Sequence, residues 1–204
     1  MSRGSVTRPA ELETQRLILR TWLPEDRVLF AALNADPAVM EQFPRTMTPE
    51  QSDTLADRIA REFAVDGWGL WAVEVKGGAR FIGFVGLHPV PLRVHFAPAV
   101  EIGWRLAQEH WGFGYATEAA REAMAFGFDN ILLPEIVSFT STTNVRSERV
   151  MQRIGMHHDP RDDFQHPRIP QGHPLGRQVL YRLDRPSWLT SVGRIRPESP
   201  ERGV

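Results

Sequence analysis

The stretch from Val100 to Glu118 constrains the fold most. A β-type run, Val100–Leu106, passes through Ala107–Trp111 into Gly112-Phe113-Gly114-Tyr115-Ala116-Thr117-Glu118, where Ala120, Met124 and Phe128 begin a helical spacing. A strand that enters a glycine-spaced turn opening a helix gathers several backbone N–H groups at the positive end of the helix dipole. Gly112 and Gly114 lack Cβ atoms, so the backbone there can approach an anion closely. Such a nest suits a phosphate. A helix start that merely needs small residues is the plain alternative, and a Gly-x-Gly turn alone does not decide between them.

The turn is not a dinucleotide fingerprint, because no third glycine follows at the helix start and a hairpin precedes it in place of a first βαβ unit. Nor is it a triphosphate loop, since no Gly-Lys-Ser/Thr follows to meet the terminal phosphates and magnesium. A pyrophosphate held without a metal fits better.

Around this feature the periodicities predict a strand at Leu17–Trp22, a helix through Val28, Leu29, Phe30 and Leu33 that stops at Asn34–Pro37, and a helix opened by the capping box Thr48-Pro49-Glu50-Gln51. Trp68–Val75 and Phe81–Leu87 read as a hairpin around Lys76-Gly77-Gly78-Ala79. After the central helix, Glu135–Thr140 is a strand, Asn144–Ile154 a helix ended by Gly155, and Gln178–Leu183 the last strand. This order predicts an α+β domain, a mixed and mostly antiparallel sheet with helices on its faces. One domain is expected over 13–190, with 1–12 flexible and 191–204 a disordered tail rich in Pro, Arg, Glu, Ser and Gly. Asp159–Gly176 is a loop of unusual length, and such loops tend to serve function.

The charges nearly cancel, 24 basic against 25 acidic residues for a net of −1, so no overall field favours nucleic acid or an anionic membrane. Cysteine is absent, which excludes disulfides, thiolate metal sites and covalent catalysis through a thiol. The expectation is a cytoplasmic protein, monomer or homodimer, that uses no metal.

Four segments together resemble the GNAT superfamily of N-acetyltransferases, in particular the branch of ribosomal-protein N-terminal acetyltransferases. They are Thr14–Arg20, Asp36-Pro37, Trp111–Ala119, and Asn144-Val145-Arg146-Ser147 leading to Met151–Met156. The resemblance covers residues 13 to 188. It implies the fold of that family, with splayed central strands, and acetyl-coenzyme A as co-substrate. It places Trp104, Arg105 and Leu106 along the pantetheine arm and the turn Gly112, Phe113, Gly114, Tyr115, Ala116 and Thr117 at the pyrophosphate. Asn144 would bond the pantetheine and Arg149 reach the nucleotide end. Asn144 also reads as a helix N-cap. Glu109 stands where the family usually has Gln or Arg, and Met151 where many relatives have a tyrosine acid.

The implied reaction is transfer of the acetyl group to a primary amine, of a peptide or a small molecule, by direct attack in a ternary complex. The amine must lose a proton and the departing thiolate must gain one. Glu101, on the strand that leads to the turn, is the candidate base, against the reading of an ordinary exposed carboxylate. Ser147 is the candidate proton donor, since Met151 cannot serve. His166 and His173 in the long loop rank behind Glu101 as bases. The alternative function is an acyl-coenzyme A sensor of the same fold with little catalysis.

Overall fold

The computed structural model describes residues 10–193. In chain order the strands are β1 (Leu12–Glu13), β2 (Leu17–Arg20), β3 (Leu70–Val75), β4 (Gly83–Pro89), β5 (Val100–Leu106), β6 (Glu135–Ser141), β7 (His157–His158), β8 (Phe164–Gln165) and β9 (Arg177–Asp184). The helices are α1 (Asp26–Ala35), α2 (Pro49–Asp66), α3 (Tyr115–Asp129), α4 (Val145–Arg153) and α5 (Arg185–Ser191). All strands share one sheet in the order β1-β2-β3-β4-β5-β6-β9-β7, with β8 also on β9. Every pairing is antiparallel except β5 with β6.

The sheet is covered on both faces, which β3 shows residue by residue. Trp71 and Val73 join the core under α3, with Leu17, Ile102, Ala120 and Met124. Leu70 and Ala72 point the other way, into Phe30 of α1 and Ile59 of α2. A strand buried on both sides reads as a continuous apolar run, hence Leu70-Trp71-Ala72-Val73. The predicted capping box is formed: Thr48 Oγ1 accepts from the Gln51 N–H, and Gln51 Oε1 accepts from the Thr48 N–H at 3.1 Å.

One buried ion pair fixes the chain where β2 passes into α1. Arg20 donates from Nη1 and Nη2 to the two oxygens of Asp26 at 2.8 and 3.0 Å, and from Nε to Glu74 at 3.0 Å. Asp26 in turn accepts from the Leu23 N–H at 2.8 Å.

Three segments differ from expectation. The boundary expected at residue 13 falls inside the first hairpin: Leu12 is buried, and the Ala10 carbonyl accepts from the Trp71 indole at 2.7 Å. The loop 159–176 contains a 3-10 turn at Pro160–Asp162 and strand β8, because Phe164 packs on Phe96 and Phe139 with ring centroids 5.1 and 5.4 Å apart. Two paired residues are too few to show a period. Helix α5 follows the strand expected to be the last element; Asp184 caps it by accepting from the Ser187 N–H at 2.7 Å, and Trp188 stacks on Phe128 at 5.5 Å. The rest of the expected amino-terminal and carboxy-terminal segments, 1–9 and 194–204, lies outside the described residues.

Candidate active site

Strands β5 and β6 pair only at Glu101 and Val137, and beyond that point they part. The apex of the splay is closed by Ser138, whose Oγ donates to the Ile102 carbonyl at 2.9 Å. Ala107 donates to the Ile82 carbonyl, and alternation along an antiparallel ladder therefore turns the backbone of Arg105 and Gly103 toward β4. The N–H and C=O of Trp104 face the gap. The Leu106 carbonyl faces the same way and is taken by the Trp111 indole at 2.8 Å.

At the open end lies the glycine turn. A 3-10 turn at Gln108–His110 leads to Gly112 at φ 85° and Gly114 at φ 82°, both in the left-handed region that favours glycine. Gly114 is the N-cap of α3 and has no side chain to cap it, so the first N–H groups of the helix, including those of Tyr115, Ala116 and Thr117, keep no intrahelical partner. By contrast α2, α4 and α5 are capped by the side chains of Thr48, Asn144 and Asp184. The uncapped terminus is an anion-accepting corner.

This corner is braced from the β1–β2 turn. Glu118, in the first turn of α3, accepts from Thr14 Oγ1 at 2.6 Å and from the N–H and Nε of Arg16 at 2.9 and 2.7 Å. Burial raises its pKa, but the bonds from Thr14 and Arg16 outweigh that and leave it lowered. Arg16 also donates to the Phe113 carbonyl at 3.0 Å and lies over the Tyr115 ring, on which the exposed Phe113 stacks.

The second wall is the corner between β6 and α4. Asn144 Oδ1 accepts from the Ser147 N–H at 3.2 Å, the cap expected of it, while its Nδ2 donates to Thr140 Oγ1 and Ser147 Oγ at 2.8 and 3.0 Å. Ser147 therefore accepts from Asn144, and its own proton remains available to give. Met151, one turn further, is buried in the core. Arg149 is exposed on α4.

The segment between α1 and α2 crosses over these walls. Gln42 Oε1 accepts from Ser141 Oγ and Thr143 Oγ1 at 2.6 and 3.0 Å, and Glu41 pairs with Arg146 at 2.7 Å. The Arg146 guanidinium lies 4.4 Å over the Trp111 ring, bridging the two walls. The Arg105 side chain points away from the gap, between Phe43 and Phe84, and donates to Asn34 Oδ1. Burial pulls it down to about 10, still charged at neutral pH, and its Nε has no hydrogen-bond partner. Its backbone pairs with Phe84 of β4, so Arg105, expected along the pantetheine, presents neither side chain nor backbone to the gap.

Glu101 stands at the apex, its side chain 13% exposed, with His88 Nε2 of β4 at 3.3 Å. His166 lies within the field of Glu101; burial first, then Arg168, lowers its pKa, and Arg168 N–H donates to its Nδ1 at 3.2 Å. His173 is exposed and spends Nδ1 on the Leu175 N–H at 3.1 Å. Sequence reasoning missed His88, Gln42 and Arg146. Only the register that puts His88 opposite Glu101 singles it out.

Residues 16–157 match the model of the acetyltransferase (GNAT) domain. The chain is 31% identical over 185 residues to the FsC-acetyl coenzyme A-N(2)-transacetylase of Aspergillus fumigatus, covering 87% of this chain and 77% of that protein. An acetyltransferase structure from Agrobacterium tumefaciens superposes with a TM-score of 0.69 at 27% identity, over 85% of this chain and 94% of that one. The ribosomal-protein-S5-alanine acetyltransferase of Vibrio fischeri shares the fold, with a TM-score of 0.69 at 16% identity over 88% and 98% of the two chains. A strand pair splayed beside an uncapped helix start, in a chain whose family model spans residues 16–157, makes this protein a member of the GNAT family of N-acetyltransferases.

Proposed function

We propose that the protein transfers the acetyl group of acetyl-coenzyme A to a primary amine by direct attack within a ternary complex. The observation that carries this reading is the free Trp104 backbone edge running from the uncapped start of α3 to the apex at Glu101. A pyrophosphate on the N–H groups of the Gly112–Thr117 turn lets a pantetheine arm continue along that edge as a surrogate strand. Its thioester then lies toward Glu101. Asn144 orders the facing wall, and the exposed Arg149 is available to the nucleotide end.

The chain has no cysteine to take the acetyl group, so the amine attacks the thioester carbonyl itself. Glu101 receives the proton of the acceptor and Ser147 donates toward the departing sulfur. The name of the Aspergillus relative, with acetyl-coenzyme A and an N(2) position, supports the donor and a nitrogen acceptor. The test is an acetyl-coenzyme A consumption screen against amino-terminal peptides and small primary amines. Turnover with at least one amine class is expected; consumption that never exceeds hydrolysis contradicts the reading.

A further inference from the structure

His88 touches the candidate base but has no part in the acetyl transfer as proposed. It faces Glu101 directly across the β4–β5 ladder, with Nε2 at 3.3 Å from Glu101 Oε2 and Nδ1 at 3.2 Å from its neighbour's carbonyl oxygen, that of Pro89. The ring leans along β5 toward the splay: a Cβ placed on Gly103 would meet only His88 Nε2, at 3.9 Å. Both ring nitrogens thus face oxygens. A neutral imidazole has one N–H and satisfies one of them; the imidazolium satisfies both. The surroundings complete themselves when a proton arrives.

We infer that His88 and Glu101 act as one base, in which Glu101 meets the acceptor ammonium and His88 stores the proton it gives up. This rests on the proposed acetyl transfer. An isolated carboxylate is about a hundredfold weaker as a base than an imidazole, so a carboxylate alone is a poor store at neutral pH. The ammonium loses its first proton through Glu101 to neutral His88 Nε2, leaving an imidazolium–carboxylate pair. The amine nitrogen forms its bond to the thioester carbon, the carbon–sulfur bond breaks, and the second nitrogen proton balances the thiolate. His88 then returns its proton to solvent.

Among the described residues, the titratable groups that also act on the pair are Glu62 of α2, which favours the imidazolium, and His166 of the long loop, which feels Glu101 and is opposed by Arg168. Burial pulls the His88 pKa down, but the charge and hydrogen bond of Glu101, the Pro89 carbonyl and Glu62 outweigh it, so it stands above 6.5. Below that pKa the store is already full. The rate therefore falls as pH drops through it.

The pH profile of kcat/KM tests this with the full chain. The acidic limb is expected above pH 6.5 in the wild type. In His88→Gln the limb should leave the neutral range, with kcat near pH 8 down on the order of tenfold or more and the KM for acetyl-coenzyme A unchanged. A limb that stays in place in His88→Gln, or that moves with His166→Gln, overturns the proposal. A second measurement needs neither turnover nor the His88 variant: NMR titration of the His88 ring, in which Glu101→Gln should lower its pKa. An unmoved His88 pKa overturns the pairing. Loss of acetyl transfer from the wild type would instead strike the function, and the titration would still decide the pair.

Discussion

Glu101 and Ser147 stand on the two walls of one gap, on β5 and on the helix after β6, and each touches a neighbour that suits the role proposed for it. With Glu101 as the acceptor of the proton, Glu101→Gln should lower kcat on the order of a hundredfold and leave cofactor affinity near that of the wild type, read by steady-state kinetics and calorimetry. Ser147→Ala should slow transfer and keep binding, because the hydroxyl matters in the transition state, when sulfur gains charge. The ion pair of Arg20 with Asp26 belongs to stability. Asp26→Ala strips a buried guanidinium of the carboxylate that holds both its Nη atoms, leaving only Glu74 at Nε, and should cost about 3 kcal/mol in urea unfolding.

Among the elements, the turn that opens α3 is where local conformation serves binding. A Cβ at Gly112 would meet nothing within 4 Å, so bulk does not explain the glycine; its φ of 85° does. Gly112→Val should keep the protein folded and abolish the acetyl-coenzyme A shift in melting temperature, since a branched residue forces the turn out of shape. Helix α5 holds the underside of the core through the stack of Trp188 on Phe128, and Trp188→Ala should cost about 3–5 kcal/mol in the same unfolding assay. The elements that the sequence pattern revealed are the longer ones, strands β2 to β6 and β9 and helices α1 to α4. The strands β1, β7 and β8 are two residues each and exist only because β2 and β9 pair with them. The start of α5 carries a local signal, Asp184 followed by Pro186, but no apolar period follows it to mark a helix.

At the scale of the molecule, the proposed function rests on one departure from regularity: a sheet that is paired at Glu101 and Val137 and open beyond. The left-handed turn that opens α3 was legible because tolerance of positive φ is a property of residue type. The partnership of His88 with Glu101, the clasp of Glu41 and Gln42 on the β6–α4 corner, and the turning of Arg105 into the core were not, because register and long-range contacts set them. Among the described residues no helix is long and apolar enough to cross a membrane.

The central claim is that the gap between β5 and β6, with the turn from Gly112 to Thr117, receives acetyl-coenzyme A. Titration of the full chain with acetyl-coenzyme A, followed by melting temperature, tests it most directly, since a ligand that binds the native state raises stability by mass action. A rise that grows with cofactor concentration in the wild type and is lost in Gly112→Val is the predicted result; no rise at millimolar cofactor would contradict the account.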